Sequence, residues 1–242
     1  MSLLRYTIPN SFTALSLLLG VASIVTTQLG DLEFAAWIIV WCGLLDVMDG
    51  LSARLLKATS SFGAEFDSMA DLVSFGVAPA VLVLNAGLQL GGIEFESGQF
   101  WVLSVAVAVF VLAGAMRLAR FNLASEESSP GWFVGVPITA AGGGLISSLV
   151  LVLMHYPDIA VSLPLHLYLP ILMFVLALLM ISRLRFPKAK VRKSMLMNTF
   201  QGVIIVTIYY CGISRSWPEY LLIMAILLLI SGIIAGRIAR NV

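Results

Sequence analysis

Charge is scarce in this sequence. Asp, Glu, Lys and Arg make up 11% of its 242 residues, against about 25% in an ordinary soluble domain. Set beside 60% hydrophobic residues, that scarcity excludes a soluble globular enzyme and leaves a polytopic membrane protein. Cysteine and histidine are rarer still, two of each. Cys42 and Cys211 lie in apolar runs and read as buried small hydrophobes, not as a disulfide or a metal site. No Cys/His cluster has zinc spacing. There is no Walker-type phosphate loop and no serine nucleophile elbow.

Long apolar runs are what the chain has in abundance. A spanning helix needs roughly 20 mostly apolar residues. On that measure the sequence predicts an all-α integral membrane protein with about eight transmembrane helices, near 11–29, 33–53, 67–90, 99–121, 133–154, 163–182, 197–214 and 218–237. It reads as a single membrane domain, 1–242, with a core over about 1–182 and two further helices over 197–237. Arg5 precedes the first run, but its length and the missing small-residue cleavage site predict a retained helix, not a signal peptide.

With eight spans, both termini share one side of the membrane with every second loop. Thirteen of the fourteen basic residues fall there: Arg5, Arg54, Lys57, Arg117, Arg120, Arg183, Arg185, Lys188, Lys190, Arg192, Lys193, Arg237 and Arg240. The positive-inside rule makes that side cytoplasmic, termini included. Arg215 alone falls opposite. The basic stretch 182–197 reads as a topology signal with attraction to anionic lipid. Trp132 and Trp217 read as interfacial anchors. His155 and His166 fall toward the outer face and read as structural. Gly232 and Gly236 read as a small-residue packing pair, and Pro79, Pro137 and Pro170 as helix kinks.

Against this apolar background, Asp46 to Asp71 (DVMDGLSARLLKATSSFGAEFDSMAD) carries four aspartates. On helices, the spacing of Asp46 to Asp49 and of Asp67 to Asp71 puts each pair on one face. Two such pairs can hold hard divalent cations through oxygen. Gly50, Ala53 and Gly63 leave room beside the helices, and Arg54 offers a fork of donors suited to phosphate. The predicted topology brings all four carboxylates to one depth at the cytoplasmic face. The bland alternative is a buried ionic network with Arg54, Arg117 and Arg120.

The pattern D-x2-D-G-x2-A-R-x8-G-x3-D-x3-D, filled at every position here, resembles the signature of the CDP-alcohol phosphotransferases, membrane enzymes of phospholipid synthesis. The runs Ile8 to Thr13, Phe66 to Ala80, Arg117 to Asn122 and Gly135 to Pro137 are similar to the bacterial and archaeal phosphatidylserine synthase branch. The resemblance implies two Mg2+ or Mn2+ ions at Asp46, Asp49, Asp67 and Asp71, with Asp71 as the general base. It implies CDP-lipid contacts at Gly50, Ala53, Arg54, Gly63, Pro9, Asn10 and Thr13. Helix capping and membrane-helix packing are the ordinary roles for Asn10 and for the small residues. Arg117, Arg120 and Asn122 are expected to bind serine and phosphate, positive-inside flanking being the alternative for the arginines.

The implied reaction passes a phosphatidyl group from CDP-diacylglycerol, or CDP-archaeol, to L-serine, releasing CMP, in a homodimer at the cell membrane. Another acceptor (glycerol phosphate, inositol phosphate or choline) fits the same motif. A cation transporter is the alternative from a different class, although such sites usually sit near the bilayer midplane between repeats.

Overall fold

The protein is described by a computed structural model covering residues 2–123, 132–187 and 195–238. Lys188, Lys190, Arg192 and Lys193 of the basic stretch, and Arg240, lie outside the described residues. Helices α1 (Ser2–Gln28) and α2 (Leu32–Leu55) form an extensively packed antiparallel pair. Their link turns at Gly30, φ +93°. It ends at Asp31, whose carboxylate accepts from the Phe34 amide at 2.9 Å and caps α2.

After a short link comes a rod over Ser61–Gln89: α3 (Ser61–Asp71), a π-helical stretch (Leu72–Val77) and α4 (Ala78–Gln89). Pro79 accounts for the π stretch. Having no N–H, it cannot donate to the Phe75 carbonyl four residues back. The neighbouring Ala78 amide reaches five residues back, to Val73. The Phe75 carbonyl is left against Gly142, where an added Cβ would stand 1.9 Å from its oxygen. Gly142 belongs to a second π stretch, Thr139–Ile146, which leads into α6 (Ser147–His155). Here the proline signal becomes widened turns that pack glycine against backbone.

The other elements are α5 (Gly98–Leu123), β1 (Trp132–Val134), α7 (Pro157–Ser162), α8 (Leu165–Ile181), β2 (Arg185–Pro187), α9 (Met195–Ser214) and α10 (Pro218–Ile238). Among the described residues, five helices are long and apolar enough to cross a membrane: Arg5–Gln28, Leu32–Leu55, Ser61–Gln89, Gly98–Leu123 and Pro218–Arg237. Three shorter apolar helices, Thr139–His155, Leu165–Ile181 and Gly202–Ser214, fall on the remaining expected spans. The core lies between α2, α4, α5, α6 and α8 around Trp37, Phe75, Phe110 and Leu151.

The structure corrects three expectations and bears out a fourth. Helix α1 begins at Ser2, not near 11, so Asn10 is inside a helix and caps nothing. Helix α3 begins at Ser61, not 67, because the Ser60 hydroxyl accepts from the Gly63 amide at 3.0 Å and starts the helix early. The fifth span does not begin helically at 133. Residues 132–134 instead pair antiparallel with 185–187, Phe133 opposite Phe186, adding a two-stranded ribbon to the all-helical fold. Gly232 and Gly236 do pack within the chain, though against this ribbon: an added Cβ would lie 2.1 Å from the Phe186 ring and 1.9 Å from the Arg185 carbonyl oxygen.

Candidate active site

Asp46 and Asp49 occupy the second half of α2, and Asp67 lies in α3 across the short link. One carboxylate oxygen from each lies within 4.8 Å of the others. Asp49 is the most buried of the three and is held from α1: the Thr13 hydroxyl donates to its Oδ2 at 2.9 Å. Beside this trio opens a cleft of about 170 Å³. It is lined by Pro9, Asn10 and Thr13 of α1, Asp49, Gly50 and Ala53 of α2, and Gly63 and Asp67 of α3. An added Cβ on Gly63 would come within 3.3 Å of the Asn10 side-chain oxygen, so the glycine keeps this wall thin. Ala58, Thr59, Ser60 and Ala64 complete the wall. The sequence reading does not name them, although a serine three residues before a helical glycine is a capping signal.

The lining contains carboxylates and no basic residue. Three oxygen donors that close together, facing no resident cation among the lining residues, fit a hard divalent metal. Asp71, one turn beyond Asp67, is outside the close trio. It interacts electrostatically with Asp46 and Asp67 and with the opposite charge of Arg117. Arg54 is exposed and outside the cleft lining.

The expected acceptor residues have three different environments. Arg117 is 6% exposed, its guanidinium lies 6.0 Å from the Phe121 ring, and its Nε has no hydrogen-bond partner. Arg120 instead donates to four backbone carbonyls, of Ile181, Val134, Met180 and Ser182, at 3.0–3.4 Å. Its fork ties the end of α8 to the strand before Gly135, which has φ +80° and no room for a side chain. Asn122 donates to Glu65 at 3.0 Å and accepts from Ser68 at 3.1 Å, holding α5 to α3.

Helices of membrane-spanning character, with a carboxylate trio toward the end of two of them and a small-residue cleft alongside, define an integral membrane protein with a carboxylate cluster suited to a divalent metal. The chain belongs to the CDP-alcohol phosphatidyltransferase family, whose sequence model matches residues 6–183. Over 137 residues it is 43% identical to the CDP-diacylglycerol–serine O-phosphatidyltransferase of Helicobacter pylori (strain J99), covering 56% of this chain and 54% of that protein. It is 32% identical over 182 residues to the protein of that name from Methanocaldococcus jannaschii (75% of this chain, 74% of the relative). With the Bacillus subtilis counterpart it shares 31% over 187 residues (76% and 91%). The match therefore spans about half the length of the Helicobacter relatives.

Proposed function

We propose that this chain is a CDP-diacylglycerol–serine O-phosphatidyltransferase dependent on Mg2+ or Mn2+. The observation that carries the reading is the carboxylate trio opening onto a cleft walled by Pro9, Asn10, Thr13, Gly50, Ala53 and Gly63. Asp46, Asp49 and Asp67, with Asp71 alongside, would hold two ions, which when bound neutralise the diphosphate and stabilise the departing CMP. The small residues admit the nucleotide against the helices, and Thr13 keeps Asp49 turned toward the centre. Asp71 takes the serine hydroxyl proton. The freed oxygen forms the new P–O bond as the bond to CMP breaks, giving phosphatidylserine, CMP and one proton. Arg54 reaches a phosphate from the cleft's edge.

The acceptor site narrows to Arg117. Its Nε is unpartnered and its charge acts on Asp71, whereas Arg120 and Asn122 are engaged in holding elements together. A planar guanidinium suits the serine carboxylate. CDP-archaeol would enter the same cleft, because the recognised group is the CDP end. The eight-span topology with both termini and the active site facing the cytoplasm, the cell-membrane location and a homodimeric state complete the reading. The orientation rests on the one-sided distribution of basic residues. The transporter alternative is set aside by family membership.

The test is CMP release from CDP-diacylglycerol by purified protein against serine, glycerol phosphate, inositol phosphate and choline. Serine should be preferred, chelator should abolish release, and Mg2+ or Mn2+ should restore it. Full turnover in excess chelator, or preference for another alcohol, would sink the assignment.

A further inference from the structure

The opposite end of the bundle holds a second, larger cavity of about 360 Å³. It is lined by Glu33 and Trp37 from the start of α2, His155 and Tyr156 at the end of α6, Arg215 of the α9–α10 link and Glu219 in the first turn of α10. Glu33 precedes Asp46 by thirteen residues on the same helix, which separates the two sites by about 20 Å. Nothing in the phosphatidyl-transfer reading uses this cavity.

Two independent features mark it as built to hold something. Trp37 is 1% exposed, and its indole N–H has no hydrogen-bond partner. Trp41, one turn along, donates its own to the Gly212 carbonyl at 2.7 Å. A buried donor is almost always paired, so the Trp37 N–H calls for an acceptor inside the cavity. The link carrying Arg215 is also held in an unusual conformation, with Arg215 at φ +51° and Trp217 at φ +55°. Side chains larger than glycine stay there only where the surroundings impose it, often at ligand sites. Arg215 is braced over the Phe34 ring at 5.3 Å, and Glu219 accepts from the Tyr156 hydroxyl.

The chemistry of the lining narrows the ligand. Among the described residues, the close grouping of potential metal ligands contains Asp46, Asp49 and Asp67 and none of Glu33, His155 and Glu219. An extended ligand therefore fits this cavity better than an ion. Trp37 N–H and Arg215 are donors that want an anionic oxygen; Glu33 and Glu219 want a hydrogen-bonding cation. In the same lining stands Trp217, an exposed aromatic side chain suited to the headgroup–hydrocarbon boundary. We infer that this cavity binds a zwitterionic phosphate–ammonium group of the phosphoethanolamine type.

The experiment uses the full chain in nanodiscs of phosphatidylglycerol doped with rising phosphatidylethanolamine. Native mass spectrometry counts retained lipid, and the thermal midpoint reports binding. Phosphatidylethanolamine should be retained saturably and raise the midpoint. Trp37→Phe and Arg215→Asn, the latter tolerant of a positive φ, should each weaken it at least tenfold while CMP release in undoped discs stays unchanged. Soluble glycerophosphoethanolamine distinguishes two supporting outcomes: competition means that the headgroup suffices, and its absence assigns the site to the intact lipid. If Trp37→Phe does not fold, Arg215→Asn carries the test from its exposed link. Retention no better than that of phosphatidylglycerol or phosphatidylcholine, or variants that bind like the unaltered protein, would overturn the inference.

Discussion

The Thr13 hydroxyl has two acceptors, the Pro9 carbonyl at 3.2 Å and Asp49 at 2.9 Å, and so ties α1 to the metal centre. Thr13→Val keeps the shape and removes the donor. Losing one hydrogen bond to a charged group is worth about 1.5 kcal/mol, roughly tenfold in an equilibrium. The expected result is about tenfold weaker activation by Mn2+ in a titration of CMP release, with Thr13→Ser near normal. The two arginines should separate cleanly. Arg117→Lys should raise the serine KM about thirtyfold and leave the CDP-lipid KM alone, as loss of a bidentate contact of about 2 kcal/mol requires. Arg120→Lys should instead lower the thermal midpoint, because one ammonium cannot reach four carbonyls, with little change in serine KM. Equal effects on serine KM would return both residues to a shared pocket. The aspartates were legible because carboxylates stand out in an apolar chain and their spacing selects a face. Arg120 was not, since its partners lie 14 to 62 residues away, on a strand too short to show in the pattern and at the end of α8.

Among the elements, α9 has an unexpected task. Tyr209 donates to the Leu44 carbonyl at 2.7 Å, and Trp41 of α2 donates back to Gly212. This seam closes beside Asp46, on a helix outside the residues matched by the family model. Tyr209→Phe should cost about 1 kcal/mol of stability and lower kcat for CMP release while the CDP-lipid KM holds. An unchanged kcat would leave α9 a purely packing helix. Gly142→Ala should be harsher, since its methyl would collide with the Phe75 carbonyl: overpacking of about 3 kcal/mol, read as a lower thermal midpoint. Hydropathy located these helices because length and apolarity are local properties. It left the π stretches unseen: Pro79 is visible in the sequence, but the shifted ladder needs a glycine from another helix against the freed carbonyl.

For the whole molecule, the orientation is open to direct measurement. Cys42 and Cys211 are both buried, so the native thiols give little background. A cysteine at Lys57 should react only with reagents that reach the cytoplasm, and one at Glu94 only from outside. Labelling of both from one side would mean that the span count is off by one.

Every residue that lines the aspartate cleft lies between Pro9 and Asp67. The cleft is thus encoded before α4 is synthesised, and the contact that turns Asp49 toward it, from Thr13 thirty-six residues earlier, needs only α1 and α2. Arg117 and Tyr209 arrive much later. During biosynthesis, then, the aspartate cleft can take shape while the chain is still emerging, and the proposed acceptor contacts wait for the bundle to finish.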